Sequence, residues 1–147
     1  MRSLVRSIVV AGGIFMFVGV QNASAQIGEP VEFTTSFPFI AGYATMPAGT
    51  YTITPDDDSP SMLRVSGAHA SVFVETQNAE PSQTPAKTEV VFKRFGSGYV
   101  LKEIWIEGSK EGAETVPVEA EHHLAKNESR GDQRVAARKR SDSTKNR

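Results

Sequence analysis

The chain carries several short runs in which apolar and polar residues alternate, a period that is typical of half-buried β-strands. The clearest run extends from Val31 to Phe39, where Val31, Phe33 and Phe37 share one face and mostly polar residues take the other. Pro38 lacks the N–H that a sheet ladder needs. We therefore expect this end of the run to lie at an edge or to leave the sheet.

Turn signals divide the rest of the apolar region into further strands. Met46-Pro47-Ala48-Gly49 predicts a β-turn, because proline presets φ at the second position and glycine suits the last. Residues 55–60 and 78–87 are polar and contain proline, which indicates loops. Together with the hairpin described next, the predicted strands are residues 31–39, 43–46, 50–54, 62–66, 70–77, 89–95 and 99–106.

The strongest local prediction is a β-hairpin. Glu89–Phe95 and Tyr99–Ile106 are both rich in β-branched and aromatic residues, and Gly96-Ser97-Gly98 separates them. Both arms are apolar on both faces in places, so we expect this pair to be central in the fold.

The pattern changes after residue 108, where charged and small residues prevail. Pro117 suits the first turn of a helix, and Val116 and Leu124 recur at helical spacing. We therefore predict a short helix over residues 117–128. The chain beyond it has few apolar residues and many charges, which predicts a basic disordered tail over residues 129–147.

The order of the elements constrains the fold class. The strands follow one another without intervening helices, which argues against a parallel α/β sheet. All ten aromatic residues after residue 25 lie between Phe33 and Trp105, so the core should lie there. We predict one mainly β domain over residues 26–128, a small antiparallel sandwich or barrel of about seven short strands with one short C-terminal helix.

The first 25 residues have the features of a secretory signal peptide. Two arginines precede the uncharged, mostly apolar run Ile8–Val20, and Ala23-Ser24-Ala25 fits the cleavage pattern of small residues. The alternative is an N-terminal membrane anchor, but 13 residues of helix reach only about 20 Å, short of the bilayer core. We predict cleavage before Gln26, export to the periplasm or the extracellular space, and no transmembrane helix in the mature chain.

Composition and charge narrow the function classes. The 147 residues are 39% hydrophobic and 22% charged, as in ordinary folded proteins, and the absence of cysteine excludes disulfides and thiol chemistry. Residues 26–125 carry six basic and 14 acidic side chains, whereas residues 126–147 carry eight basic and three acidic ones. An acidic body with a basic C-terminal end is the main electrostatic feature.

Three stretches resemble a group of small exported bacterial proteins of the acidobacterial type. The stretches are Phe37–Ile40, the Pro47-Ala48-Gly49-Thr50-Tyr51 turn, and Val91–Trp105, which fits F-x-R-[YF]-G-x-x-Y-x-L-x-E-[IV]-W. The resemblance covers residues 31–126 and implies export, a β fold and a short C-terminal helix. It implies no particular chemistry.

Metal-binding motifs are weak. Adjacent His122 and His123 diverge on a helix and cannot face one ion together, so a site would need His69 or Glu119 as well. Three consecutive aspartates, residues 56–58, lack the alternate spacing of calcium loops and indicate a solvated turn. We predict no metal and no cofactor.

Catalytic motifs are equally weak. Ser97 lies at a predicted hairpin tip and not in a nucleophile elbow. Glu103 alternates with apolar residues and is the best candidate for a partly buried carboxylate, which we expect to pair with Arg94 on the facing arm. We predict no catalytic residue.

The basic end is the strongest candidate for binding. Its cations are suited to an anionic envelope component or an acidic protein, but the end lacks aromatic residues and motifs for sequence-specific nucleic-acid binding. The alternatives are a solubilising tail, or one that folds against the acidic body of the same chain. The candidate polyanion contacts are Arg130, Arg134, Arg138, Lys139, Arg140, Lys145 and Arg147.

The sequence thus predicts an exported, non-enzymatic binding or structural module of the envelope or the extracellular space. The alternatives from other classes are a small secreted hydrolase that uses Glu103 and a histidine, and a periplasmic metal-binding protein.

Overall fold

A computed structural model describes residues 27–118 and 129–140 of the chain. Within these residues it contains ten β-strands and no helix. The strands are β1 (Val31–Thr35), β2 (Phe39–Ala41), β3 (Ala44–Met46), β4 (Gly49–Pro55), β5 (Met62–Gly67), β6 (Ser71–Ala79), β7 (Glu89–Phe95), β8 (Gly98–Trp105), β9 (Gly112–Thr115) and β10 (Ser129–Lys139).

Eight of these strands form a closed antiparallel β-barrel. Around the ring their order is β1, β4, β5, β6, β9, β8, β7 and β10, and β10 pairs with β1 to close it. Closure leaves no unpaired outer strand of the kind that an open sheet exposes. The predicted mainly β antiparallel architecture is confirmed in its barrel form.

The two ends of the barrel have different connections. We call one the hairpin end; it carries residues 36–48, 68–70 and 96–97. We call the other the cleft end; it carries residues 27–30, 56–61 and 106–111.

Strands β2 and β3 form a small hairpin that completes the wall at the hairpin end. β9 is only four residues long, so its pairing with β6 ends at Thr76 and Thr115. Beyond that point β2 pairs in parallel with β8 through Ile40 and Val100. A Cβ on Gly42 would lie 3.2 Å from the carbonyl oxygen of Phe73 on β6. The small hairpin therefore fills the space between β8 and β6 that the short β9 leaves.

An aromatic cluster fills the interior. The ring of Phe33 lies 5.7 Å from Tyr51, 5.9 Å from Phe92 and 6.0 Å from Phe39. All four rings are buried, and Phe37 packs edge-on against Phe92. Tilted and edge-to-face contacts at these distances add to the stabilisation that burial of the rings provides.

The predicted β7–β8 hairpin is confirmed and is central. Val90 and Ile104 are paired and belong to the interior core. Val91 and Trp105 point to the other face, yet they are only 0% and 7% exposed. Trp105 is therefore buried on the outer wall, and not in the aromatic cluster where the distribution of rings had placed it.

The number of strands differs from the prediction because the run from Val31 to Phe39 is broken. Residues Ser36 and Phe37 bend, and the Thr35 hydroxyl donates to the Phe37 carbonyl oxygen at 2.9 Å. Pro38 lies between β1 and β2 and leaves the ladder, as expected. The predicted Met46–Gly49 turn joins β3 to β4.

The prediction of a disordered tail from residue 129 is wrong for residues 129–139, which form β10. Gln133 and Arg134 pair with Phe92 and Val91 of β7, and Arg138 pairs with Glu32 of β1. Backbone hydrogen bonds to two neighbouring strands and ion pairs hold this segment, although it has few apolar residues. Residues 141–147 lie outside the described residues.

Two other predictions fall on or near undescribed segments. The C-terminal helix over residues 117–128 is not supported: Pro117 and Val118 are not helical, and residues 119–128 lie outside the described residues. The predicted signal peptide, residues 1–25, also lies outside them. Among the described residues, no helix has the length and apolarity needed to cross a membrane.

Candidate functional site

The basic candidates on β10 contact acidic side chains of the same chain. Arg134 pairs with Glu89, and the Nε of Arg138 donates to Glu32 at 2.9 Å. Lys139 Nζ lies 3.3 Å from a carboxylate oxygen of Glu29. These cations are therefore engaged within the fold, in agreement with the alternative of a basic end that folds against the acidic body.

The remaining basic candidates are only partly described. Arg140 is exposed, and its backbone N–H donates to the Pro30 carbonyl oxygen at 2.7 Å. The side chain of Arg130 is not among those described, and Lys145 and Arg147 lie outside the described residues.

Glu103 has a different partner from the one predicted. Its carboxylate accepts a hydrogen bond from the indole N–H of Trp105 at 3.0 Å. The strand register places Glu103 opposite Val91, whereas Arg94 lies opposite Tyr99 and donates to the Gly96 carbonyl oxygen. The expected Glu103–Arg94 ion pair is therefore wrong, because the two residues lie at different levels of the β7–β8 ladder.

A second carboxylate, which sequence reasoning missed, faces Glu103 across β8 and β9. Glu114 is the direct register partner of Glu103, and it pairs with Lys102 and accepts from Gln77 at 3.3 Å. The hydrogen bond from Lys102 holds the pKa of Glu114 below its usual range. Desolvation by burial acts in the opposite direction and raises the pKa, whereas the hydrogen bond from Gln77 lowers it further. Glu114 is thus kept ionised and is unsuited to donate a proton.

Of the three histidine candidates, the structure describes only His69. His69 is exposed in the turn between β5 and β6 at the hairpin end. His122, His123 and Glu119 lie outside the described residues. Among the residues that the structure describes, no group of three or more His, Asp or Glu side chains is arranged to hold a metal ion.

The aspartate run, residues 56–58, forms a local turn. The backbone N–H of Asp58 donates to a carboxylate oxygen of Asp56 at 3.2 Å, and Asp57 and Asp58 are exposed. This arrangement is the solvated turn that the sequence indicates.

A cleft of about 580 Å³ opens at the cleft end. Ile27 and Ile106 contribute apolar surface, and the Glu29–Lys139 ion pair and Glu111 line its polar side. The Ser109 hydroxyl at its edge donates to the Glu111 carbonyl oxygen at 2.8 Å. Glu29, Lys139 and Ser109 thus each have a partner within the lining of the cleft.

The outer wall carries an exposed aromatic patch, which we define as Tyr43, Phe73 and Arg64. Tyr43 is 84% exposed at the tip of the β2–β3 hairpin, and Phe73 is 42% exposed on β6. The Arg64 guanidinium lies 4.7 Å from the centre of the Phe73 ring. Gly42 packs against the backbone of Phe73, with Val72 and Val74 as its nearest side chains, so the β2–β3 hairpin lies beside β6.

Hydroxyl groups occupy the wall next to the aromatic patch. The Oγ atoms of Ser66 and Ser71 lie 3.1 Å apart, and Ser66 and Arg64 are both on β5. Thr34 and Thr50 make a similar contact at 2.9 Å further along the same wall. The aromatic patch is therefore surrounded by a polar wall that is rich in hydroxyl groups.

Sequence reasoning missed this patch, although a signal was present. Phe73 lies on the same face of β6 as Ser71 and Glu75, which are exposed. Val72 and Val74 lie on the opposite face, toward the core. The alternation in β6 therefore places a large aromatic ring on the polar face. Tyr43 follows Gly42, whose φ of +55° marks a tight turn.

Comparisons of the chain with protein-family models, with curated proteins and with solved structures find no match.

Proposed function

We propose that this protein is an exported, non-enzymatic binding module of the envelope or extracellular space, and that it binds a neutral glycan through the aromatic patch. The observation that carries the proposal is the exposure of Tyr43 and Phe73, 84% and 42%, on an otherwise polar wall. Exposed apolar patches that are rimmed by polar residues mark binding sites.

The chemistry of the patch suits a sugar. A pyranose ring has an apolar face of C–H groups that stacks on an aromatic ring, and hydroxyls around its rim that need hydrogen-bond partners. Phe73 and Tyr43 supply the rings, and Arg64, Ser66 and Ser71 supply polar groups beside them. The filled aromatic interior also favours binding on the outside of the barrel.

Charge favours a neutral polymer over an anionic one. The body of the chain is acidic, and a polyanion would have to compete with Glu89, Glu32 and Glu29 for the cations of β10. The aromatic patch itself holds one cation, Arg64, and Glu75 is exposed on the adjoining strand. Binding should therefore depend little on ionic strength.

The proposal is tested by sedimentation with insoluble cellulose, chitin and a mixed-linkage glucan, followed by calorimetry with soluble oligosaccharides of whichever polymer is bound. We expect the purified protein to bind at least one polymer, and Tyr43→Ala and Phe73→Ala to weaken binding at least tenfold, or about 1.4 kcal/mol. Asp57→Ala is the matched control, since Asp57 is exposed at the opposite end of the barrel.

The melting temperatures of all variants should match that of the unsubstituted protein. Failure of every polymer to retain the protein, or equal binding by the patch variants and the control, would contradict the proposal.

A further inference from the structure

β10 closes the barrel, and none of its residues 131–139 is buried. Of residues 131–139, whose side chains the structure describes, Val135 and Ala137 are half-buried and the others are exposed. Every other strand of the ring buries at least two residues. Val135 and Ala137 pack against the core cluster, but β10 contributes less to the hydrophobic core than the other strands of the ring do.

Backbone pairing and charge hold β10 in place. It pairs with β7 from Ser129 to Ala136, but with β1 only through residues 137–139. Ion pairs link Arg134 to Glu89 and Arg138 to Glu32. A segment with solvent-exposed hydrogen bonds and few apolar contacts belongs to the low-stability end of a fold and opens before the molecule unfolds.

Opening of β10 would leave an acceptor seam, which we define as the facing edges of β1 and β7. The seam has two unpaired strand edges, and Phe33 of β1 and Phe92 of β7 belong to the core beside it. It also contains two carboxylates with little exposure, since the side chains of Glu89 and Glu32 are 11% and 20% exposed. An extended strand with cations at matching positions would satisfy both the edges and the carboxylates.

We propose that the acceptor seam binds β10 of a second copy of this chain, so that two molecules exchange their C-terminal strands. β10 of a second copy has the required register and charges, because its Arg134 and Arg138 have the same spacing as those of the chain's own β10. Exchange of a terminal element that preserves all native contacts is a low-cost route to a dimer. This inference does not depend on the proposed function of the aromatic patch.

The absence of native cysteine allows a direct trap for the exchanged strand. Lys93 of β7 and Asp132 of β10 are register partners. Cα atoms of antiparallel partners lie within the range that a disulfide spans. Differently tagged Lys93→Cys and Asp132→Cys proteins are mixed and oxidised, and the disulfide between the two chains is quantified.

We expect this pair to give at least ten times more mixed dimer than Asp132→Cys mixed with Thr52→Cys, a β4 residue that is not a partner of β10. Adding Arg138→Glu to the Asp132→Cys chain should lower the yield severalfold, and Glu32→Arg in the other chain should restore it. A chain with both Lys93→Cys and Asp132→Cys should close internally and lose exchange.

A mixed-dimer yield no higher than that of the Thr52→Cys control would overturn the proposal. Failure of the doubly substituted chain to form a disulfide between its two introduced cysteines, within one chain or between two, would overturn it as well, because the β7–β10 register on which it depends would be incorrect.

Discussion

Tyr51 and Trp105 each pack closely against a glycine on a neighbouring strand. The Tyr51 hydroxyl donates to the Pro47 carbonyl oxygen at 2.6 Å, which fixes the turn before β4, and its ring lies where a Cβ of Gly67 would stand. A Cβ on Gly112 would come within 2.2 Å of the Trp105 ring and 2.8 Å of a backbone oxygen. Tyr51 and Trp105 thus each have a structural role.

Gly112→Ala should destabilise the protein by about 1–3 kcal/mol, because the added methyl group overpacks the contact with Trp105. Gly28→Ala is the control, since nothing lies within 4 Å of its Cβ position, and it should be nearly neutral. The free energy of unfolding in urea measures both. Equal stability of the two variants would refute the close packing of Trp105 on Gly112.

Glu114 gives the stability a dependence on pH. The pKa of Glu114 in the folded state lies below that of an unperturbed glutamate, mainly because Lys102 donates a hydrogen bond to it. The unfolded state therefore takes up a proton first, so the contribution of Glu114 is full above about pH 5 and is lost as the pH falls through the folded pKa.

Glu114→Gln should reduce the loss of stability between about pH 5 and pH 3, because it removes a group that binds a proton only on unfolding. Melting temperatures across this range, measured for the protein and the variant, provide the comparison. Parallel pH profiles for the two proteins would contradict the role assigned to the Lys102–Glu114 pair.

At the scale of elements, sequence patterns predict strands whose stability is local. The β7–β8 hairpin has β-branched arms and a short glycine turn, and the structure places both arms within one residue of their predicted bounds. β9 is too short to show a period. The sequence of β10 predicts disorder because the strand is stabilised by Glu32 and Glu89, which are distant in sequence.

The candidate site, like β10, depends on contacts between residues that are distant in sequence. The alternation of residues in β6 predicts that the Phe73 ring is exposed, but no sequence pattern predicts that Tyr43 or Arg64 lies near it. The antiparallel pairing of Arg64 with Phe73 places these two residues side by side, and the packing of Gly42 on β6 brings the hairpin that carries Tyr43 next to the same strand. A register between strands that are not joined by a tight turn depends on the whole barrel, and hydrophobic periodicity alone does not encode it.

At the scale of the whole molecule, β10 determines whether the barrel is closed. Deletion of residues 129–147 should lower the melting temperature and promote aggregation, because it exposes the edges of β1 and β7. Deletion of residues 141–147 removes two cations but spares β10, so it should have little effect. Thermal unfolding with light scattering distinguishes the two, and unchanged behaviour of the longer deletion would contradict closure by β10.

Nuclear Overhauser effects between backbone protons across the seam test the closed barrel most directly. We expect cross-strand contacts between Asp132 and Lys93 and between Arg138 and Glu32, together with extended-strand chemical shifts for residues 129–139. Random-coil shifts over this segment, with no contact to β1 or β7, would contradict it.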